Sequence, residues 1–238
     1  MASGRQGSRD FDIIALDADD TLWHNETIFQ ATQARFRELL VQYHDQEWID
    51  RHLYETEKRN LQHFGYGVKG YVLSMIETAT ELTEGRITGR EIQRIIDWGR
   101  EMLQHPVELL EGVEETVREL AESHRLMLLT KGDLFDQESK LARSGLGDHF
   151  SAIEIVSEKD VRTYRAVLAR HQVQPARFVM VGNSLRSDVL PVLEIGGAAV
   201  HVPYQTTCAH EQVPEEALLG KEFVRLERMQ ELPAWLRW

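Results

Sequence analysis

A single cysteine, Cys208, stands in the 238 residues. That excludes an internal disulfide and a cysteine zinc site, and it fits a reducing compartment such as the cytoplasm. No apolar run approaches the length of a membrane span, about 18 residues. The opening "MASGRQGSRD" has no apolar stretch of the kind a secretory signal needs, so residues 1–10 read as a flexible tail. Positive charge is scarce: 27 Lys and Arg face 39 Asp and Glu, a net charge of −12. This balance argues against nucleic acid and membrane as partners. A small anionic ligand stays open, because a local site can oppose the overall field. The ten histidines show no HExxH or other metal spacing, "GNSLR" misses the GxSxG nucleophile elbow, and there is no P-loop.

What the chain does have is a set of short, nearly continuous apolar runs: 11–17, 125–130, 152–156, 177–182 and 198–202, with a weaker one at 222–226 before a closing helix around "MQELPAWL". Such runs fit strands buried on both faces. Helix-like segments at 134–144, 160–171 and 186–195 separate most of them, which predicts a parallel sheet in an α/β fold. Between the first and second runs, residues 26–44, 46–63, 68–82 and 89–104 each read as amphipathic helix, with Phe29, Phe36, Leu40 and Tyr43 at helical spacing in the first. "TGRE" at 88–91 has the form of a capping box, and Pro106 stops the last of these helices. The block is too long for an ordinary crossover. The reading is a Rossmann-like core, 11–22 and 107–238, with an inserted all-α cap over 23–106; a helix at 112–123 leads back into the sheet.

In open parallel sheets, ligands bind outside the carboxyl ends of the strands. The first run ends in "DADDT". Asp17 and Asp19 point the same way in extended chain, and two carboxylates about 4 Å apart repel by roughly 4 kcal/mol at an effective dielectric near 20. A hard divalent cation such as Mg2+ offsets that repulsion; a turn with Thr21 or an aspartate capping a helix is the plainer reading. "TKGD" follows the second run, "SEKD" the third and "GNSLRSD" the fourth. Each reads alone as a turn or helix start. In order they set an acid pair, a threonine, a lysine and a second pair of oxygen ligands at successive strand ends.

At these four segments the chain resembles the haloacid dehalogenase superfamily of aspartate-nucleophile hydrolases, and the helical insert after the first resembles that family's helical cap. The resemblance implies Asp17 as nucleophile and Asp19 as general acid and base. It implies phosphoryl binding by Thr130, with Lys131 beside it, and charge neutralisation by Lys159. The Mg2+ site would comprise Asp17, the Asp19 carbonyl, Asn183 and Asp188. Two residues depart from the family pattern: Asn183 stands where an acid is usual, and Asp160 follows Lys159 in place of proline. Dehalogenases lack the acid two residues after the nucleophile, so Asp19 favours phosphoryl chemistry.

The implied activity is Mg2+-dependent hydrolysis of a small phosphomonoester. A phosphotransferase or mutase, or a weakly catalytic binding protein of the same fold, is the alternative, and the sequence leaves oligomeric state open. "GYGVKG" at 65–70 matches the GxGxxG dinucleotide fingerprint, but helix-like sequence lies on both sides where a strand should precede it. In capped relatives a loop between cap helices meets the substrate, which makes Tyr66 and Lys69 candidate contacts; a plain interhelical turn is the other reading. Trp23, His24 and Asn25 read as cap entrance or hinge.

Overall fold

The computed structural model describes residues 10–206 and 208–237. Most of the expected tail, together with Thr207 and Trp238, lies outside the described residues. In chain order the elements are β1 (Ile13–Leu16), α1 (Glu26–Leu40), α2 (Gln46–Phe64), α3 (Val68–Leu82), α4 (Gly89–Gln104), α5 (Val113–Ala121) and β2 (Leu126–Lys131). There follow α6 (Leu134–Ser144), β3 (Ala152–Val156), α7 (Val161–His171), β4 (Phe178–Gly182), α8 (Leu190–Glu194), β5 (Ala198–His201), β6 (Val224–Arg225) and α9 (Leu232–Leu236). The six strands form one parallel sheet in the order β3-β2-β1-β4-β5-β6. This is the α/β class that the apolar runs predict.

The continuous hydrophobicity of the strands has a direct structural cause. Ile14, Leu16, Leu126, Leu128, Val179 and Val181 enter one buried cluster, while Ile13, Ala15, Met127, Leu129, Phe178 and Met180 enter another. Alternate residues therefore serve opposite faces of the sheet, and both faces are covered. Strand order reverses around β1, which pairs with β2 on one side and β4 on the other. The crevice at such a switch point is where this architecture places ligands.

Two compact units result: one holds the sheet and comprises residues up to His24, Val107–Lys131 and Lys140 onward; the other comprises Asn25–Pro106 and Gly132–Ser139. The expected division at 23 and 106 is thus shifted at one end, and 132–139 groups with the helices. Within the sheet unit, the segments that leave and re-enter it are paired: Trp23 bridges Leu109 in antiparallel fashion, His24 N donates to Glu108 O at 3.0 Å, and Leu110 N donates to Leu22 O at 2.9 Å.

The helical unit buries Phe36, Leu40, Ile49, Leu53, Met75 and Ile95 in its own core. Helix α1 stops at Leu40, short of the expected 44, and Tyr43 N closes a turn onto Leu40 O at 2.8 Å. The capping box forms: Thr88 N donates to Glu91 Oε2 at 2.8 Å and Glu91 N to Thr88 Oγ1 at 3.3 Å. "GYGVKG" is an interhelical turn, with Gly65 (φ 68°) ending α2 and Gly67 (φ 109°) starting α3. Both angles favour glycine, and the strand that a dinucleotide fingerprint requires is replaced by helix.

The other long-helix expectation, 186–195, resolves into a π-helical turn at Leu185–Val189 followed by the short α8. Pro191 explains the change: it has no N–H to offer the carbonyl four residues back. That carbonyl, Ser187 O, accepts instead from the buried Tyr164 hydroxyl at 2.9 Å.

Gly99, inside α4, faces α3 closely enough that an added Cβ would lie 2.4 Å from Val72 Cγ2. Helix propensity favours alanine over glycine by about 1 kcal/mol, but overpacking costs about 1–3 kcal/mol. Gly99→Ala is therefore expected to lower the melting temperature; a rise would show that the α3 contact relaxes freely.

Candidate active site

Asp17 leaves β1 with its N–H still paired to Val181 O at 2.9 Å, so the sheet fixes its position. Its side chain meets Lys159, which lies just before α7 and is only 3 % exposed. The same Lys159 Nζ donates to Asp188 Oδ1 at 2.7 Å, and Asp188 is 1 % exposed. Asp188 belongs to the π-helical turn, and its Oδ2 accepts from Ser184 N at 3.0 Å. One buried ammonium thus joins two buried carboxylates far apart in sequence, one after β1 and one after β4.

Thr21 completes this side of the cluster. Its hydroxyl lies 3.1 Å from Asp17 Oδ2 and 3.3 Å from Asn183 Oδ1 and accepts from Asn183 N at 3.1 Å. His201 Nε2 lies 3.0 Å from Asn183 O. Gly182 leaves room for Asp188, since a Cβ there would lie 2.2 Å from Asp188 Oδ2. Thr130 is buried at the carboxyl end of β2, beside the strand that carries Asp17.

Three of these charges settle how the cluster behaves. When ionised, Asp17 and Asp188 carry two negative charges against the one positive charge of Lys159, so a buried negative charge is left without a counterpart. Burial drives the Asp17 carboxyl up to about 7, against the lowering influence of Lys159 and with further upward pressure from Asp188 and Asp19. Burial also opposes the charge on Lys159, yet Asp17 and Asp188 hold its ammonium above the usual value. Among the described residues no group of three His, Cys, Asp or Glu side chains forms a ready metal cage. A hard cation nevertheless fits what is present: the donors are oxygens, Mg2+ takes few ligands from protein, and the local charge is one positive unit short.

Asp19 is held apart from this cluster. Its Oδ1 accepts from Trp23 Nε1 and Lys140 Nζ, both at 2.7 Å, and its Oδ2 accepts from Lys140 Nζ at 2.9 Å. The chain turns immediately after it, with Asp20 at φ 61° and Asp20 N donating to Trp23 O at 2.8 Å. Asp20 thus serves the turn, in a left-handed conformation that aspartate tolerates better than most residues.

Lys131, the residue after Thr130 and the other expected phosphate contact, ends β2. It pairs with the carboxylate of Glu211 and donates to Ser187 Oγ at 3.0 Å. Glu211 also accepts from the hydroxyls of Ser184 and Ser187. Burial pushes the Glu211 carboxyl up, but Lys131 and these hydroxyls hold it below the usual range. Asp160, the departure from the family's proline, caps α7 by accepting from Thr163 N at 2.7 Å. In the helical unit, Tyr66 lies in the turn between α2 and α3, and Lys69 pairs with Asp133 at 2.9 Å.

A model of the haloacid dehalogenase-like hydrolases matches residues 11–196. The chain belongs to that family. A haloacid dehalogenase-like family hydrolase from Xanthomonas campestris, solved as a crystal structure, is 46 % identical over 96 % of this chain and 91 % of that one, with a TM-score of 0.85. The N-acylneuraminate-9-phosphatase of Mus musculus is 31 % identical over 127 residues, 50 % of this chain and 51 % of that protein. The glyceraldehyde 3-phosphate phosphatase of Methanothermobacter thermautotrophicus is 30 % identical over 101 residues, 40 % of this chain and 45 % of that protein. The chain spans about half the length of the curated relatives it matches. Hydrolases of this family generally use a divalent metal.

Removing one partner of a buried charge cluster costs about 3–5 kcal/mol. Lys159→Met is expected to lose stability on that scale in urea unfolding with EDTA present. A loss below about 1 kcal/mol, the range of surface ion pairs, would contradict a bridging role for the lysine.

Proposed function

We propose that this chain is a Mg2+-dependent phosphatase that hydrolyses a small phosphorylated metabolite in the cytoplasm. The carrying observation is the division of labour at the end of β1: Asp17 is buried against Lys159 and Asp188, whereas Asp19 is held separately by Trp23 and Lys140. That separation supports Asp17 as the nucleophile and Asp19 as the group that moves a proton. The curated relatives, named for N-acylneuraminate 9-phosphate and glyceraldehyde 3-phosphate, support the substrate class.

Asp17 attacks phosphorus, and the bond to the ester oxygen breaks as Asp19 gives that oxygen a proton. A water molecule then attacks the aspartyl-phosphate, passes its proton to Asp19, and releases phosphate and free Asp17. Lys159 offsets charge on the nucleophile and the phosphoryl oxygens, and Thr130 receives the phosphoryl group from β2. Lys131, with its charge matched by Glu211, is secondary. Asp17, Asn183, Asp188 and the Asp19 carbonyl would hold Mg2+, which when bound supplies the positive charge that the buried cluster lacks.

Phosphate release from a panel of phosphorylated metabolites and p-nitrophenyl phosphate tests the reading. Wild-type release should stop with EDTA and return with Mg2+, and Asp17→Asn should show none while melting as a folded protein. Substantial release by that variant would remove Asp17 as nucleophile; a wild-type protein inert toward every ester would favour a binding role.

Asn183→Asp adds a charged oxygen beside Thr21 and Asp17. It is expected to lower the Mg2+ concentration for half-maximal activation by about tenfold, a change of about 1.4 kcal/mol. An unchanged or weaker activation curve would place residue 183 outside the metal's ligands.

A further inference from the structure

Lys140 lies outside the four strand-end segments, yet its ammonium meets both oxygens of the Asp19 carboxylate. It lies on α6, and its side chain is 11 % exposed against 23 % for Asp19. Lysine on a helix ordinarily extends into water, and burying its ammonium costs desolvation. Asp19 offsets part of that cost, by contacts of 2.7 and 2.9 Å to its two oxygens. Trp23 fixes the same group from the other direction. Its ring is 1 % exposed within the core of the sheet unit, its Nε1 donates to Oδ1 at 2.7 Å, and its carbonyl takes the N–H of Asp20 at 2.8 Å. The carboxylate is therefore held by one donor rooted in the core and one rooted in a helix, on a turn that is itself hydrogen-bonded.

We propose that Lys140 and Trp23 are positioning residues for proton transfer by Asp19, holding its carboxyl group where it meets the departing ester oxygen. This rests on the reading of Asp19 given above. A proton donor works only when its oxygen lies within hydrogen-bond reach of the leaving group, and a misplacement of about 1 Å can cost on the order of 100-fold in rate. The lysine and the indole restrict Asp19 before substrate arrives, so less orientation has to be gained during the reaction.

The consequence depends on the leaving group. p-Nitrophenolate departs as a stable anion and needs little help from an acid, whereas phenolate, with a conjugate-acid pKa of about 10 as for tyrosine, depends on it more. The test is kcat/KM for both aryl phosphates in wild type, Lys140→Met, Lys140→Arg and Trp23→Phe, with melting curves to check folding. Lys140→Met should stay within about threefold of wild type on p-nitrophenyl phosphate and lose about tenfold or more on phenyl phosphate. Lys140→Arg should recover most of that loss, and Trp23→Phe should show the same selectivity with a smaller amplitude.

An equal fall on both esters would mean that Lys140 acts only through general charge or stability and would overturn the proposal, as would no fall on either. Should Lys140→Met fail to fold, Trp23→Phe decides by the same criterion: a fall confined to phenyl phosphate supports the proposal, and an equal fall on both esters or no fall overturns it. An inactive wild type would instead overturn the phosphatase reading, and this proposal with it. A failed clamp is distinguished from that case by an active wild type whose variants show no leaving-group selectivity.

Discussion

The Lys159 ammonium shared by Asp17 and Asp188 is the interaction on which the arrangement of the sheet's carboxyl edge depends. Its partners come from the end of β1 and from the turn after β4, and the lysine itself comes from the loop after β3. None of the three is comfortable alone, because each is a charge removed from water. Together they still leave a negative excess, which adds to burial in raising Asp17 and leaves a place for another cation. A site of this kind is preorganised at some cost in stability, which the packing on both faces of the sheet must carry.

That packing explains why the cluster can be held so closely. Residues on β1 alternate strictly between two apolar clusters, so neither face of the strand has freedom to slide. A register shift of one residue would exchange the two faces and carry Asp17 away from Val181. The turn bearing Asp188 is fixed by other means. Pro191 deprives Ser187 O of a helical partner, and Tyr164 from α7 supplies one, so α7 and the segment after β4 are tied together beside the charges. A π-helical turn is costly in isolation and recurs near functional sites.

Much of this was legible in the sequence. Buried parallel strands declare themselves by continuous apolar runs, and the order of Asp17, Thr130, Lys159 and Asp188 at successive strand ends marks one edge of the sheet. The segments beyond the strands were harder to read. The 186–195 stretch has helical composition, and only Pro191 signals the wider turn. Lys140 looks like any lysine on an amphipathic helix, and Glu211 follows no strand that would draw notice to it. Their roles come from meeting distant residues in space, Asp19 for one and Lys131 for the other, and no local periodicity encodes such meetings. The helical pattern over 134–144 runs unbroken through Ser139 and Lys140 and so reads as one core helix; which compact unit residues 132–139 join depends on contacts remote in sequence.

The pairing of Trp23 with Leu109, and of His24 and Leu22 with Glu108 and Leu110, bears on how such a chain can change over generations. Where the insertion departs and where it returns are already joined by hydrogen bonds inside the sheet unit, so the sheet experiences everything from Asn25 to Pro106 as the loop of a hairpin. Closing a longer loop costs only about 0.6 kcal/mol for each doubling of its length. A graft of different size or content at this point would leave the strand ends where they are. The insert can then diverge in length and sequence while Asp17, Lys159 and Asp188 keep their places in the sheet unit.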